Sequence, residues 1–257
     1  MDSKTKTEKA THRGLAAHVV VSNRKQCWPQ ARANMGEIIR LRIFRLSAAI
    51  LCAAWLALCS STSATPYTGR DTWQRPDEVM DAMEVHLGST VADVGAGYGW
   101  FTHKLALRVG ATGTVFAVDV QPAMVEDIRS WSVEEHLRQV IPVLGAENDP
   151  HLPDGQLDAV LVVNTYHEMQ AYDAMLRNFH QALKPGGRLV IIEPEAKPGR
   201  PRAEYQKEHV IPPELVKEDA TRNGFRFVGQ HADVVTPDQD HWPFLVFEKP
   251  RPKVPPQ

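Results

Sequence analysis

The sequence predicts an α/β domain built on a mainly parallel sheet, and three observations predict it. From Thr65 onward, short apolar runs alternate with segments of helical periodicity, the pattern of βαβ units. One such run, Val91-Ala92-Asp93-Val94, delivers the chain into a turn that contains three glycines. Another, Asp158-Ala159-Val160-Leu161-Val162-Val163, is apolar enough to be covered on both faces, as strands of a parallel sheet are.

The elements follow in order. Pro76 stands ahead of the acidic pair Asp77-Glu78 and an apolar stripe at Val79, Met80, Met83 and Leu87, which reads as a helix stopped by Gly88. After the strand 91–94 and its glycine turn comes a helix through Trp100–Arg108, closed by Gly110. Val115–Val118 is the second strand and ends at Asp119. Pro122 then opens a helix that runs to the neighbourhood of Arg129. Val140–Leu144 is a third strand, in which Pro142 points to an irregular or early position. The fourth strand is 158–163. Met175, Leu176, Phe179 and Leu183 mark a helix ending before Lys184-Pro185-Gly186-Gly187, and Arg188–Ile192 is the fifth strand, ending at Glu193. Pro194–Arg202 reads as a loop and Pro213–Arg222 as a helix. Phe225–Val228 and Phe244–Phe247 are two last strands, close enough in sequence for an antiparallel pair.

Composition supports one folded unit behind a leader. Of 257 residues, 43% are hydrophobic and 23% charged, which excludes a wholly disordered or collagen-like chain. Residues 1–64 hold ten Lys/Arg against three Asp/Glu, a net of +7; the remainder holds 19 against 28, a net of −9. An acidic domain of this kind lacks the positive surface of most nucleic-acid binders. Cys27, Cys52 and Cys59 all precede it, so no disulfide framework is expected there.

Within the leader, residues 1–38 show no sustained apolar period and are expected to be disordered, and residues 39–64 form a separate segment. There, Arg40, Arg42 and Arg45 precede the uncharged run Leu46–Leu58, and the small residues Ser60–Ala64 follow. This order describes a secretory signal peptide or a retained N-terminal membrane anchor. Initiation at Met35 would make the signal conventional. Either form sends the domain out of the cytoplasm, to a periplasmic or membrane-anchored location. A leader without function would leave it cytoplasmic.

The strongest chemical signal is Asp93-Val94-Gly95-Ala96-Gly97-Tyr98-Gly99, followed twenty residues after its last glycine by Asp119 at a strand end. Glycines let a backbone approach a ligand closely, and an acid beyond the next strand suits a ribose diol. Dinucleotide folds favour Gly-x-Gly-x-x-Gly, whereas the spacing here is Gly-x-Gly-x-Gly with a carboxylate ahead of it. A carboxylate beside the turn opposes a pyrophosphate and suits a ligand bearing an ammonium and a sulfonium. S-adenosylmethionine carries both.

On VADVGAGYGWFT (91–102), VFAVDV (115–120), LPDGQLDAVLVVNTYHEM (152–169) and LKPGGRLVIIE (183–193), the sequence resembles class I S-adenosylmethionine-dependent methyltransferases. Within them it is most similar to the bacterial type 11 small-molecule group. The resemblance implies a Rossmann-like, seven-stranded, mostly parallel sheet with the last strand antiparallel and helices on both faces. It implies a methyltransferase domain over residues 65–250, followed by a Pro-rich tail at 251–257. It also implies that Gly95, Ala96, Gly97 and Gly99 hold the methionine part of the cofactor behind Asp93. Asp119 and Val120 would meet the ribose, and Glu147 and Asn148 the adenine side. Asn164 would lie beside the departing methyl. Each has a bland alternative: glycines serve turns, and Asp119 and Asn164 cap helices.

Tyr166-His167-Glu168 follows the fourth strand and is expected at the mouth of the site. His167 is the candidate base and Tyr166 the candidate orienting group, unless His167 merely packs the next helix start. The string His167-Glu168-Met169-Gln170-Ala171 has alanine where a zinc-protease helix needs its second histidine, so no metal is expected. Trp73 and Arg75 are candidates for a lid, and His209 for the substrate side. The expected function is methyl transfer to a small-molecule acceptor. The alternatives are an NAD-linked oxidoreductase and a non-catalytic nucleotide-binding module on the same fold.

Overall fold

The structure, a computed structural model, describes residues 68–252. The expected leader (1–38), the signal or anchor segment (39–64) and the end of the Pro-rich tail (253–257) lie outside the described residues. Among the described residues no helix is long and apolar enough to cross a membrane.

Two short helices come first, α1 (Thr68–Gln74) and α2 (Pro76–Ala82), followed by β1 (Thr90–Val94) and α3 (Trp100–Val109). Then come β2 (Thr114–Asp119), α4 (Pro122–Glu134), β3 (Val140–Leu144) and β4 (Leu157–Val163). A 3₁₀ turn (Tyr166–Glu168) precedes α5 (Tyr172–Ala182) and β5 (Leu183–Ile192). The chain closes with α6 (Arg202–Lys207), α7 (Pro213–Arg222), β6 (Arg226–Val235) and β7 (His241–Glu248).

The seven strands form one sheet in the order β3-β2-β1-β4-β5-β7-β6. Neighbours from β3 to β5 pair in parallel, and β7 runs antiparallel to both β5 and β6. Strand order reverses between β1 and β4, and at such a switch point the loops beyond the strand ends diverge and leave a crevice.

The period-2 pattern of the strands builds two cores. Val91, Leu161, Val190 and Val246 face one side, where α2, α3 and α4 contribute Met80, Leu105 and Ile128. Ala92, Val160, Ile191 and Leu245 face the other, against Phe179 of α5 and Val216 of α7. Strands apolar on both faces are what such a sandwich requires. Pro142 lies in β3 at the sheet's edge, where a missing N–H leaves no ladder bond broken on the outer side.

Several boundaries differ from the sequence expectation. α1 carries no apolar periodicity long enough to announce it. α4 runs on to Glu134, because Val125, Ile128 and Ser132 keep one buried face. The Lys184-Pro185-Gly186-Gly187 turn is a bulge inside β5: Leu183 pairs with Leu157 and Arg188 with Ala159. Gly186, at φ +87°, donates to the Lys249 carbonyl, which stitches the bulge to the chain after β7. The expected loop after β5 leads into α6, and β6 and β7 are longer than expected because bulges at Phe227/Gly229 and His231/Val234 keep their pairing going.

Candidate active site

Beyond the ends of β1, β2 and β4 lies a cavity of about 480 Å³. The turn after β1 forms its floor. Gly95 and Ala96 donate to the Val118 carbonyl, which fixes the turn to β2. All three glycines sit at positive φ, and each is needed for a different reason. A Cβ on Gly95 would run into the side chain of Thr165, whereas one on Gly97 would meet nothing within 4 Å. At Gly97 the cavity therefore opens onto bare backbone. A Cβ on Gly99 would fall 2.7 Å from the Trp131 ring, so this glycine lets α3 start against α4 and does not line the cavity.

Asp119 closes the turn from the β2 side. Its Oδ2 accepts from the Gly97 N–H and its Oδ1 from the Gln121 N–H, both at 2.9 Å. It does not cap α4, whose N-cap is Gln121. Asp93 is only 3% exposed, and its Oδ2 accepts from the Thr102 hydroxyl at 2.7 Å. Burial pushes its carboxyl up to about 6, against the pull of the Thr102 hydrogen bond and of Arg70, with Asp119 adding to the rise. Arg70, on α1, lines the cavity with its guanidinium 4.4 Å over the Trp100 ring. Sequence reading missed it.

Val120, Glu147 and Asn164 also line the cavity, together with Gly95, Ala96 and Gly97. Asn164 adopts φ +52°, an uncommon conformation for a non-glycine residue, and it makes no side-chain cap. Asn148 lies outside the lining; its carbonyl accepts from the Asn178 amide. Trp73 packs edge-on to Trp242 at 5.7 Å, and the Arg75 guanidinium donates to the carbonyls of Ala232 and Asp233. Neither forms a lid over the cavity.

The turn after β4 differs most from expectation. Tyr166 and His167 point into the protein and away from the cavity mouth, at 0% and 1% exposure. Tyr166 donates its hydroxyl to Asp219 Oδ2 at 2.9 Å, and Arg202 and Arg222 bind the same carboxylate. Burial, with that carboxylate beside it, raises the Tyr166 phenol well above its ordinary range, so it stays a neutral donor. Tyr166→Phe is expected to cost about 1 kcal/mol of stability, one hydrogen bond, while leaving cofactor affinity unchanged in calorimetry.

His167 is held by Glu193, a residue the sequence reading passed over as a strand end. Glu193 Oε1 accepts from the Thr165 and Tyr166 N–H groups at 2.7 Å each, and Oε2 meets His167 Nδ1 at 2.5 Å. One buried carboxylate thus anchors the whole turn. Glu168 faces outward and lines the cavity.

This sheet order, with a reversed β7, a glycine turn after β1 and an acid at the end of β2, defines a Rossmann-like nucleotide-binding protein. A methyltransferase-domain profile matches residues 91–187. The ubiquinone/menaquinone biosynthesis C-methyltransferase UbiE of Escherichia coli is 30% identical over 177 residues, covering 65% of this chain and 67% of that protein. The crystal structure of a SAM dependent methyltransferase from Aquifex aeolicus is 25% identical, with a TM-score of 0.61 over 71% of this chain and 93% of that one. The [4+2]-cyclase SpnF shares the fold at 18% identity and a TM-score of 0.62, covering 70% of this chain and 82% of that one. The chain belongs to the class I S-adenosylmethionine-dependent methyltransferases, and its cofactor is S-adenosyl-L-methionine.

The residues present fit that cofactor. The space at Gly97 is one that any side chain would fill, and the buried Asp93 carboxylate provides a negative charge in low dielectric where a cation is to be held.

Proposed function

We propose that the protein transfers a methyl group from S-adenosylmethionine to a small-molecule acceptor, as the type 11 group does. The observation that carries this is the convergence of Asp93, the Gly95–Gly97 backbone and Asp119 on one cavity of about 480 Å³, a volume typical of small-ligand sites. When bound, the cofactor supplies a methyl carbon activated by its sulfonium. Asp93 offsets the positive charge. Asp119 has lone pairs left for the ribose hydroxyls after its two backbone contacts, and Ala96, Val120, Glu147 and Asn164 complete the walls.

On the side formed by the turn after β4, Glu168, Met169, Gln170 and Met175 line the cavity. These residues are placed to position the acceptor and exclude water, which is most of what an in-line displacement asks of a protein. The NAD-linked alternative is not favoured, since a buried carboxylate beside the glycine turn opposes a pyrophosphate.

Incubation of the protein with methyl-labelled S-adenosylmethionine and fractionated small-molecule extract is expected to yield label in a low-mass product. Label only in protein or nucleic acid would contradict the acceptor class. Asp119→Ala is expected to weaken cofactor binding by about 1–3 kcal/mol in calorimetry, since it strands hydrogen-bond donors of the ligand and of the turn.

The basic, apolar and small-residue order of residues 39–64 supports export of the domain or its attachment to a membrane. N-terminal sequencing of the protein recovered from a cell envelope fraction checks this.

A further inference from the structure

Beside the cofactor cavity, the fold brings His209 against the adjacent pair His167 and Glu168, 42 residues before it in the chain, and so assembles three donor atoms. His167 Nε2 is 3.3 Å from His209 Nδ1 and 3.8 Å from Glu168 Oε1, and His209 Nδ1 is 3.3 Å from the same Glu168 oxygen. With metal–ligand bonds of about 2.0–2.2 Å, tetrahedral geometry places donors about 3.4 Å apart. Two sides of the observed triangle match that spacing, and the third, His167 to Glu168, is 3.8 Å and closes to it by a turn of the exposed Glu168 side chain. Two histidines and one carboxylate are also a donor set that first-row divalent ions take.

The support behind the triangle is built in the same sense. His167 and Glu193 are buried, with side-chain exposures of 2% and 4%, and Glu193 Oε2 lies 2.5 Å from His167 Nδ1. A carboxylate on Nδ1 takes that nitrogen's proton in a hydrogen bond and leaves a lone pair on Nε2, the tautomer a metal requires. His209 holds φ +56°, left-handed backbone that costs energy for a non-glycine residue and that accumulates at functional sites. The expectation of no metal rested on Ala171 in the local motif; the second histidine comes instead from 42 residues beyond His167.

We propose that His167, Glu168 and His209 form a binding site for one divalent transition ion of the zinc class, with Glu193 orienting His167 from behind. Three protein donors leave at least one coordination position open. Glu168 lines the cofactor cavity, His209 lines a neighbouring cavity of about 600 Å³, and Asn164 borders both. An ion there is placed to hold an oxygen of the methyl acceptor. That role rests on the methyl-transfer reading, whereas binding of the ion does not.

The other explanation of the triangle is a hydrogen-bonded pair in which the His209 N–H is shared between His167 and Glu168. Cobalt(II) chloride distinguishes the two, titrated into the full chain by calorimetry and visible spectroscopy. Cys27, Cys52 and Cys59 are first alkylated with iodoacetamide, which leaves residues 65–257 untouched because they contain no cysteine. The wild type is expected to take up one Co²⁺ with ligand-field bands in the visible range. His209→Ala, at a side chain 68% exposed, is expected to weaken uptake by about 100-fold without loss of folding, and Glu168→Gln by about tenfold. His86→Ala, at an exposed histidine elsewhere, is expected to change nothing. Equal uptake by the wild type and His209→Ala, or no uptake by the wild type at about 1 mM ion, far above the affinity range of built sites, overturns the proposal. Cofactor binding, measured without cobalt, reports separately on the methyltransferase reading.

Discussion

Asp93→Asn is expected to make the ligand-free protein more stable at neutral pH and a poorer binder of S-adenosylmethionine. The carboxyl of Asp93 is raised from 3.8 to about 6 in the folded protein, chiefly by burial. Ionising it there costs about 3 kcal/mol more than in the unfolded chain. Below about pH 4 the group is protonated in both states and the penalty is absent. Between about pH 4 and 6 the unfolded chain gives up its proton while the folded one retains it, so folding stability falls as pH rises. Above about pH 6 the penalty is complete.

Asparagine keeps an acceptor for the Thr102 hydroxyl and removes the charge. The variant should therefore melt with the wild type near pH 4 and roughly 6–12 °C above it at pH 7.5. Removing the charge leaves Arg70 and Asp119 as the charged groups facing the position. Arg70 carries the opposite sign, and the Asp119 carboxylate is engaged by the Gly97 and Gln121 N–H groups at the β2 side of the turn. Cofactor affinity should drop about 10–100-fold at pH 7.5, the cost of about 1.4–2.8 kcal/mol of electrostatic attraction. Wild-type affinity should also fall as pH is lowered through 6, while that of the variant stays flat. Matching melting curves at both pH values would show that the carboxyl is not under strain.

Gly97→Leu is expected to abolish cofactor binding with modest damage to the fold, and Gly95→Ala to do nearly the reverse. Gly97 stands at φ +53° with no protein atom within 4 Å of its missing Cβ. Leucine can adopt that conformation at about 1–2 kcal/mol and would place its side chain in the cavity. Affinity should fall more than about 100-fold, at least 2.7 kcal/mol, while the melting temperature drops by roughly 2–8 °C. Gly95 stands at φ +75° with Thr165 directly against it, so even a methyl group forces the turn away from the end of β4. Loss of stability should dominate there. If Gly97→Leu binds the cofactor like the wild type, the glycine turn is not the floor of the site.

The parts legible in the sequence are those whose physics is local. The glycine turn announces itself because positive φ requires glycine, and Asp119 because it ends a strand twenty residues on. The strands are legible because a sheet covered on both faces needs uninterrupted apolar runs such as 158–163. Residues brought in by tertiary packing leave no such trace. Arg70 sits on a seven-residue helix without apolar period, yet it reaches the cavity over the Trp100 ring. Glu193 looks like the polar end of β5 and proves to be the anchor of a turn 26–28 residues earlier. Tyr166 and His167 follow a strand end, a position that by itself points to the mouth of the site. The Glu193 and Asp219 carboxylates draw both side chains inward instead. His209 becomes informative only when the fold sets it against His167.

A crevice built in this way should hold an adenosyl sulfonium. Titration calorimetry of S-adenosylhomocysteine, with NAD as the comparison ligand, measures it without knowledge of the acceptor. One molecule of S-adenosylhomocysteine should bind per chain, with affinity reduced by Asp119→Ala and lost in Gly97→Leu, and NAD should give no heat. Binding of NAD alone, or S-adenosylhomocysteine binding that survives Gly97→Leu unchanged, would contradict it.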